Sequence, residues 1–160
     1  MYVEPLEPHH DPDLAGRLLA VQQRAYAVEA RLIGDDRIPA LHESIDDLLQ
    51  AELTWLGVRD SAGLIMAAIG IRETAEDVDI DRLVVDPDAL RRGFGRALVT
   101  AVQRHAGSRA VEVSTGRDNR PATALYESLG FTRIGDDEVL PGLWVTRYTW
   151  EMEAMTGAAL

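Results

Sequence analysis

One stretch of the chain decides its fold: IDRLVVDPDALRRGFGRALVTAV, residues 80–102. Its pattern predicts a strand over residues 80–85, a turn at Asp86-Pro87, an arginine- and glycine-rich loop, and an amphipathic helix ending near Ala106. Gly93 and Gly95 stand where the helix begins, and glycine permits a tight turn and a close approach to a ligand. Because the first N–H groups of a helix are unpaired and carry partial positive charge, this helix start predicts an anion site, most often for phosphate.

Three arginines, Arg91, Arg92 and Arg96, surround these glycines in a chain whose net charge is −11. General nucleotide-binding motifs do not fit this loop. A P-loop needs a lysine and the chain has none, while a dinucleotide fingerprint needs glycine or alanine at position 98, which is Leu98. Taken alone, the two glycines leave an alternative open, in which they only let the helix pack closely on the sheet.

The length of 160 residues predicts a single domain over residues 1–153, with residues 154–160 as a frayed tail. A hydrophobic content of 46% and a charged content of 27% are ordinary for a globular protein. No apolar run approaches the roughly 18 residues of a membrane span, and polar residues follow Met1. We therefore expect no membrane partner, no signal peptide and a cytoplasmic location. The absence of cysteine excludes disulfides, thiolate zinc sites and cysteine nucleophiles.

The acidic balance argues against nucleic acid as a partner, because binding to phosphates is driven by lysine and arginine. It is compatible with attracting a cationic small molecule such as an amine. All 16 basic residues are arginine. The four histidines, which are His9, His10, His42 and His105, have no metal-ligand spacing, so we expect no metal.

Two helices precede the central strands. Asp11 as N-cap, Pro12 at the first helical position and Gly34 at the end predict the first helix. Its buried stripe consists of Leu14, Leu18, Val21, Ala25, Val28 and Leu32. Ser44 and Asp47 resemble a capping box that starts the second helix.

Strand patterns and one further helix complete the chain. The strands are predicted over residues 2–6, 53–59, 64–72, 78–85, 110–115, 131–134 and 143–152, and the short helix over residues 121–129. This order predicts an α+β fold with a mixed, mostly antiparallel sheet of six to seven strands and about four helices.

Two motifs resemble those of the GCN5-related N-acetyltransferase (GNAT) family. LRRGFGRAL, residues 90–98, resembles the pyrophosphate loop [Q/R]-x-x-G-x-[G/A]. NRPATALYESLGF, residues 119–131, resembles N-x-x-A-x-x-L-Y-x-x-x-G-F. The resemblance is specific over residues 79–135, and it departs at Leu90, where the family has Gln or Arg. It implies a GNAT-type fold, acetyl-CoA as cosubstrate, and direct attack by a primary amine of a small molecule or peptide N-terminus on the thioester.

The same resemblance implies roles for individual residues. Leu83, Val84 and Val85 would lie beside the pantetheine arm, with a backbone N–H near Leu83 or Val84 facing the oxyanion. Tyr126 would be the general acid that protonates the leaving thiolate. The alternative is that Tyr126 is a half-buried helix residue that only packs on the sheet. Asn119 would bind the coenzyme, cap its helix, or do both. The pyrophosphate would be bound by the backbone and side chains of Arg91, Arg92, Gly93, Phe94, Gly95 and Arg96.

A base must take a proton from the amine, directly or through water. Asp79 and Asp81 share one face of a strand, because side chains alternate with period two. Asp79 lies where some family members carry a glutamate base, and Asp81 alternatively pairs with an arginine such as Arg82 or Arg109. Both are otherwise ordinary solvated carboxylates. Glu112 on the neighbouring strand is a further candidate.

The acceptor site is expected between residues 25–49 and residues 138–150. Its predicted lining residues, each of which could instead belong to the core, are Tyr26, His42, Glu43, Trp55, Trp144 and Tyr148. A homodimer is left open. The alternatives to an enzyme are a non-catalytic acyl-CoA binding or sensing module and an unrelated phosphate-binding domain.

Overall fold

The computed structural model of the protein describes residues 1–153, and the predicted tail, residues 154–160, lies outside them. The helices of this part are α1 (Pro12–Ile33), α2 (Ile45–Gln50), α3 (Phe94–Ala106) and α4 (Arg120–Ser128). Its strands are β1 (Glu4–Leu6), β2 (Thr54–Arg59), β3 (Ile65–Glu73), β4 (Asp77–Val85), β5 (Ala110–Gly116), β6 (Thr132–Leu140) and β7 (Leu143–Trp150). Short 3₁₀ turns lie at Pro8–His10, Pro39–His42 and Pro87–Ala89.

All seven strands form one sheet in the order β1-β2-β3-β4-β5-β7-β6. Neighbouring strands are antiparallel except for β4 and β5, which are parallel and are connected by α3. A parallel pair needs such a crossover, whereas the antiparallel pairs are joined by shorter turns. The predicted α+β class, with a mostly antiparallel sheet of six to seven strands and about four helices, is confirmed.

The local signals at the helix ends act as predicted. The Asp11 carboxylate accepts a hydrogen bond from the Leu14 N–H at 3.1 Å, and α1 ends at Gly34, whose φ of 68° is left-handed. Both hydrogen bonds of the capping box join Ser44 and Asp47 at the start of α2. These caps pair backbone N–H and C=O groups that the helices themselves leave free.

Each face of the sheet buries its own core. Helices α3 and α4 cover one face with Leu98, Val99, Val102, Ala106 and Tyr126. Helices α1 and α2 cover the other face with Leu14, Leu18, Val21 and Leu48. The two layers leave the carboxyl ends of β4 and β5 between α1 and α4, which is where the candidate site lies.

Two local predictions differ from the structure. Strand β6 extends to Leu140 rather than to Ile134, because an edge strand pairs with β7 alone and can expose the charged side chains of Asp137 and Glu138. Leu32, placed in the buried stripe of α1, is 47% exposed. The last turn of α1 instead directs Ile33 towards the cavity described below.

Candidate active site

The loop between β4 and α3 is fixed from behind by a buried carboxylate. Asp86 is almost completely buried, and its Oδ1 atom accepts a hydrogen bond from the Asp88 N–H at 2.9 Å. Its Oδ2 atom forms ion pairs with two arginines of α1, at 3.1 Å from Arg17 Nη2 and 2.8 Å from Arg24 Nη1. A paired buried carboxylate is expensive to disrupt, so this cluster holds the loop against α1.

The start of α3 has the geometry of an anion site. Gly93 is the N-cap with a φ of 80°, and Arg91 has a φ of 63°, so two left-handed residues turn the chain into the helix. The N–H groups of the first turn are free of helical partners. Arg91, Arg92 and Arg96 are exposed, and none forms a salt bridge within residues 1–153. Leu90, the departure from the family motif, is 50% exposed.

Gly95 lies on the inner side of α3, next to β4 and α4. A Cβ atom at this position would lie 3.4 Å from Leu125 Cδ2, 3.7 Å from Leu83 Cδ2 and 3.9 Å from Val85 Cγ2. These are ordinary van der Waals distances, so a Cβ atom would fit and close packing does not require a glycine at position 95. Gly93, with its left-handed φ, is the glycine that the turn into α3 requires, and the anion site at this helix start stays a prediction.

The parallel strands separate where the coenzyme was expected to lie. Pairing of β4 with β5 covers Asp77–Ala110 through Ile80–Val113, and the two strands are unpaired with each other beyond that point. Residues 81–85 remain paired with β3 on their other side. Leu83 and Val85 therefore belong to a strand segment whose edge facing β5 has no strand partner within residues 1–153. Strand-like binding of an extended ligand needs such an edge.

A cavity of about 350 Å³ occupies this opening. It is bounded by the ends of β4 and β5, by α1 with the segment after it, by α4, and by the β6–β7 hairpin. Its principal polar lining residues are Tyr26, Glu29, Arg37, Glu43, Asp81, Arg82, Asn119 and Tyr126. Helix α1 with the segment after it and the last hairpin thus meet at the strand opening, within the two ranges predicted for the acceptor site, whereas α2 does not line the cavity.

Tyr126 lies on the wall of this cavity, and its ring is buried. The ring packs edge-on against Phe131, with centroids 5.3 Å apart, and lies 6.1 Å from the ring of Tyr148. Burial raises the pKa of the Tyr126 hydroxyl above its ordinary value of 10.0, and the nearby Glu29 carboxylate raises it further. The phenol therefore stays protonated at neutral pH, as a proton donor must.

Asn119 caps α4, because its Oδ1 atom accepts a hydrogen bond from the Ala122 N–H at 3.3 Å. It also lines the cavity. A side chain in both positions can serve a cap and a ligand, since the Asn carboxamide also carries an NH₂ donor. Its capping role is observed, and its role in coenzyme binding stays a prediction.

The two predicted strand carboxylates have different surroundings. A register shift places Gly70 opposite Arg82 and Ile71 opposite Ile80, so Asp81 is the extra residue of a β-bulge. Asp81 lines the cavity and is paired with Arg72 and, at 2.7 Å, with Arg82 Nε. The predicted pairing of Asp81 with Arg82 is thereby confirmed.

Asp79 lies before the bulge and is not among the cavity-lining residues. Its side chain is exposed, yet surrounding protein removes part of its hydration, and this raises its pKa above the ordinary value. The Asp81 carboxylate and the Glu112 carboxylate, from the residue opposite Asp79 on β5, raise the pKa further. The neighbouring acidic side chains thus disfavour the ionised form of Asp79.

Of the six predicted acceptor residues, Tyr26 and Glu43 line the cavity and the other four do not. Trp55 and Tyr148 are buried in the two cores, Trp144 stacks under Arg117, and His42 Nε2 lies 2.7 Å from the Asp36 carbonyl oxygen. Burial is the main cause of the raised pKa of the Tyr26 hydroxyl, and the Glu29 carboxylate raises this pKa further.

Glu29 and Arg37 were not predicted from the sequence, and Arg82 was predicted only as a partner of Asp81 and not as a cavity residue. A signal was available for Glu29, because Gln22, Tyr26, Glu29 and Ile33 follow one another at helical spacing. A polar stripe of this kind beside an apolar stripe indicates that α1 faces a cavity as well as a core. Gln22 supports this interpretation, since it is fully buried and donates from Nε2 to Glu43 Oε1 at 2.7 Å.

Residues 1–153 contain neither a metal-binding cluster nor a membrane-spanning helix. No three of their histidine, aspartate or glutamate side chains are arranged to hold a metal ion. None of the helices in this part is long and apolar enough to cross a membrane.

Comparison with known proteins identifies the family. The profile of the acetyltransferase (GNAT) family matches residues 20–131. The UPF0157 protein YqkA of Bacillus subtilis is 36% identical over 136 residues, but these are 84% of this chain and only 39% of YqkA. N-alpha-acetyltransferase RimI of Mycobacterium tuberculosis is 32% identical over 118 residues, which are 71% of this chain and 73% of RimI.

The fold agrees with that assignment. The crystal structure of the ribosomal-protein-S18-alanine N-acetyltransferase from Escherichia coli has a TM-score of 0.75 at 20% identity, covering 98% of this chain and 96% of that one. At 20% identity this likeness shows only the fold. The family relationship rests on the match to the family profile and on the sequence identity with RimI. The chain belongs to the acetyltransferase (GNAT) family.

Proposed function

We propose that this protein transfers the acetyl group of acetyl-CoA to a primary amine by direct attack on the thioester. One observation carries the proposal: the opening between β4 and β5 contains a cavity lined by a buried tyrosine, Tyr126, and leads to the free edge of β4. Family membership supports the reaction class, and the cavity supports two substrates meeting at this opening.

The donor half of the proposal uses the backbone. The amides from Arg91 to Arg96 would hold the pyrophosphate, with the guanidinium groups of Arg91, Arg92 and Arg96 nearby. The residues present fit that group, because none of the three arginines is neutralised by a carboxylate of residues 1–153. The pantetheine would lie along Leu83, Val84 and Val85, with Asn119 on the far side.

The acceptor half follows from the cavity walls. Apolar side chains from the end of α1 and from the β6–β7 hairpin form one side, and they include Ile33, Ile38, Val139, Leu143 and Val145. The charged side is acidic in balance, with Glu29, Glu43 and Asp81 against Arg37 and Arg82. We infer that the acceptor is a cationic primary amine on an apolar body, either a small molecule or a peptide N-terminus.

The chemistry needs a proton donor for the thiolate and donors for the developing oxyanion. Tyr126 fits the first role, because its raised pKa keeps the phenol protonated. A backbone N–H near Leu83 or Val84 would serve the oxyanion, a contact worth about 3–4 kcal/mol where such donors have been removed. Asp79 and Asp81 remain the bases predicted from the sequence.

The test is thiol release from acetyl-CoA in the presence of a panel of primary amines, with mass spectrometry of the products. An acetylated amine together with free CoA is the expected result. Binding of acetyl-CoA by calorimetry without thiol release to any amine would instead support the acyl-CoA sensing alternative. A cytoplasmic location and a homodimer stay predictions, to be checked by cell fractionation and by the mass of the protein in solution.

A further inference from the structure

The charged side chains that line the cavity are matched with opposite charges, with one exception. Arg82 is buried, and its guanidinium forms an ion pair with Asp81 at 2.7 Å and another with Glu43. The hydrogen bonds to these carboxylates outweigh the desolvation of Arg82 and raise its pKa. Arg37 is likewise paired, at 2.7 Å from Asp35.

Glu29 is the exception. It lies half-buried near the end of α1, and its Oε1 atom accepts one long hydrogen bond, from the Gly116 N–H at 3.4 Å. Within residues 1–153 no arginine or histidine side chain forms a salt bridge with it. An ionised carboxylate has about four acceptor positions. Glu29 therefore presents unused acceptor capacity and an unmatched negative charge to the cavity.

The local packing allows this carboxylate to reach the strand opening. A Cβ atom at Gly116 would lie 2.9 Å from Ile33 Cγ2 and 3.2 Å from Glu29 Oε1. The glycine at the end of β5 thus leaves room for the α1 side chains. Burial is the main cause of the raised pKa of the Tyr26 and Tyr126 hydroxyls. Glu29 is close enough to both hydroxyls to raise the pKa of each further.

We propose that Glu29 receives the acceptor as its ammonium ion and takes the first of the two protons that the amine loses. This inference rests on the proposed acetyltransferase function. An alkyl ammonium has an ordinary pKa of about 10.4, so the acceptor enters the cavity as a cation at neutral pH. An unmatched carboxylate in a partly dehydrated cavity attracts such a cation more strongly than the same carboxylate in water.

The proton transfers balance as follows. The Glu29 carboxylate takes one proton from R–NH₃⁺, directly or through one water, and the freed nitrogen lone pair attacks the thioester carbon. The C–N bond forms and the C–S bond breaks, and the thiolate takes the proton of the Tyr126 phenol. The second proton of the nitrogen returns to the Tyr126 phenolate, and Glu29 releases its proton to solvent.

Other charged groups of the cavity could influence the pH dependence of this proton transfer. The titratable and charged groups that share the cavity with Glu29 are Tyr26 on α1, Arg37 and Glu43 after it, Asp81 and Arg82 on β4, and Tyr126 on α4. The arginines are matched by carboxylates, and the two tyrosines stay neutral. Glu29 is therefore the one carboxylate of this set that no arginine of residues 1–153 pairs with.

Three variants test the role. Glu29→Gln keeps the shape and an oxygen that can accept from the Gly116 N–H, but it removes the charge. Glu29→Asp keeps the carboxylate on a shorter side chain. Asp13→Asn is the matched control, since Asp13 is an exposed acid in the first turn of the same helix. The acceptor probes are benzylamine, tyramine and alaninamide, and kcat/KM is measured against pH with the best of them.

Loss of a general base costs about 10²-fold or more, so we expect kcat/KM of Glu29→Gln to fall by at least that factor. The acidic limb of its pH profile should disappear, while Glu29→Asp should restore the limb and part of the rate. Acetyl-CoA affinity by calorimetry and the melting temperature should match those of Asp13→Asn.

Full activity and an unchanged acidic limb in Glu29→Gln would overturn this inference and leave the proposed function intact. Absence of transfer by the unmodified protein to every probe amine, with acetyl-CoA still bound, would instead overturn the proposed function itself. A limb that disappears only in a strand variant such as Asp79→Asn would assign the base to β4 rather than to Glu29.

Discussion

Ile80 of β4 and Val113 of β5 are the last residues through which these two parallel strands pair. Beyond them, β4 continues to Val85 along β3, and β5 continues to Gly116 along β7. Each wall of the gap is therefore held by a hydrogen-bonded neighbour on its far side. The gap is therefore framed on both sides by hydrogen-bonded sheet.

Tyr126 provides the first prediction. Tyr126→Phe keeps the ring and its packing on Phe131 but removes the phenol. If the phenol protonates the thiolate, kcat should fall about 10²-fold or more while acetyl-CoA affinity stays near that of the unmodified protein. Steady-state kinetics with a responsive amine, together with calorimetry, measures both quantities.

The matched control for this change is Tyr148→Phe. Tyr148 is also buried and lies 6.1 Å from Tyr126, but its hydroxyl donates to Glu127 Oε1 at 3.0 Å rather than lining the cavity. Its loss should cost stability by about 1 kcal/mol, as for a typical hydrogen bond, and leave kcat unchanged. Equal losses of kcat in both variants would make Tyr126 a packing residue.

The raised pKa of Tyr126 adds a prediction about pH. A general acid loses function when it ionises, and ionisation of Tyr126 lies above its ordinary value of 10.0. Increasing pH should therefore produce no decline in kcat from this group up to about pH 10, within the range in which the protein remains folded. A basic limb near neutral pH that Tyr126→Phe removes would contradict the proposed acid.

The loop arginines provide a test of the anion site. Arg91→Gly suits the left-handed backbone at this position, and Arg92→Ala removes a neighbouring charge. The double variant should weaken acetyl-CoA binding by tenfold or more, since one contact to a charged group is worth about 1.5–3 kcal/mol and each 1.4 kcal/mol is about a factor of ten. Binding should not be abolished, because the backbone amides remain. Arg104→Ala removes one charge from the other end of α3 and is the control.

Calorimetry at two salt concentrations sharpens this test. The affinity of the unmodified protein should fall with salt more steeply than that of the double variant, because exposed charges are screened. Equal affinities and equal salt dependence in all three proteins would remove the side chains from the anion site.

The fold could be predicted because its signals are local. Asp11, Gly34 and the Ser44–Asp47 capping box fix the helix ends through contacts within a few residues. The two family motifs likewise lie in continuous stretches. Strand β6 was predicted too short because an edge strand needs no apolar alternation, so its charged residues resembled a loop.

The cavity could not be predicted to the same extent because long-range packing forms it. The bulge at Asp81 shifts the alternation, so that Val78 and Ile80 before it and Leu83 and Val85 after it all pack with the core under α3 and α4. Nothing in the period of the strand indicates such an insertion. Glu29 reaches the site only because α1 crosses the end of β5 at Gly116.

Arg37 gives a prediction for the acceptor side. It joins the segment after α1 to the β6–β7 hairpin, because Nη2 donates to the Pro141 carbonyl oxygen at 2.8 Å while the guanidinium also holds Asp35. Arg37→Ala should loosen this wall of the cavity and raise the acceptor KM several-fold, with acetyl-CoA affinity unchanged. Arg31→Ala, an exposed arginine at the end of α1, is the control.

The same variant predicts a change in titration. Hydrogen bonds from Arg37 lower the pKa of Asp35 to about 2. A lowered carboxylate pKa stabilises the folded protein above the unfolded value, and this contribution is lost as pH falls towards 2. Arg37→Ala should return the pKa of Asp35 towards its ordinary value, which NMR titration of the carboxyl carbon can follow. An unchanged pKa in the variant would mean that another group holds Asp35 ionised.

The strand carboxylates give the last prediction, because their two variants should change stability in opposite directions. Asp79 has a raised pKa, so its ionised form is disfavoured in the folded state. Asp79→Asn should therefore raise the free energy of unfolding at neutral pH, by no more than about 1 kcal/mol for an exposed charge. The gain should vanish at low pH, where Asp79 is protonated in the unmodified protein.

Asp81→Asn should instead destabilise the protein. Asp81 is paired with Arg72 and with the guanidinium of Arg82, which is only 7% exposed. Arg82 keeps Glu43 as a partner, so the loss should be about 1–3 kcal/mol, less than for a buried charge left without any partner. Urea unfolding at pH 7 and pH 4 measures both variants. The pH profile of kcat/KM distinguishes the candidate bases. If Asp79 or Asp81 is the base, its Asn variant should lack the acidic limb. If Glu29 is the base, both Asn variants should keep the limb. Opposite stability changes with both limbs retained would assign the β4 carboxylates to structure and leave proton transfer to α1.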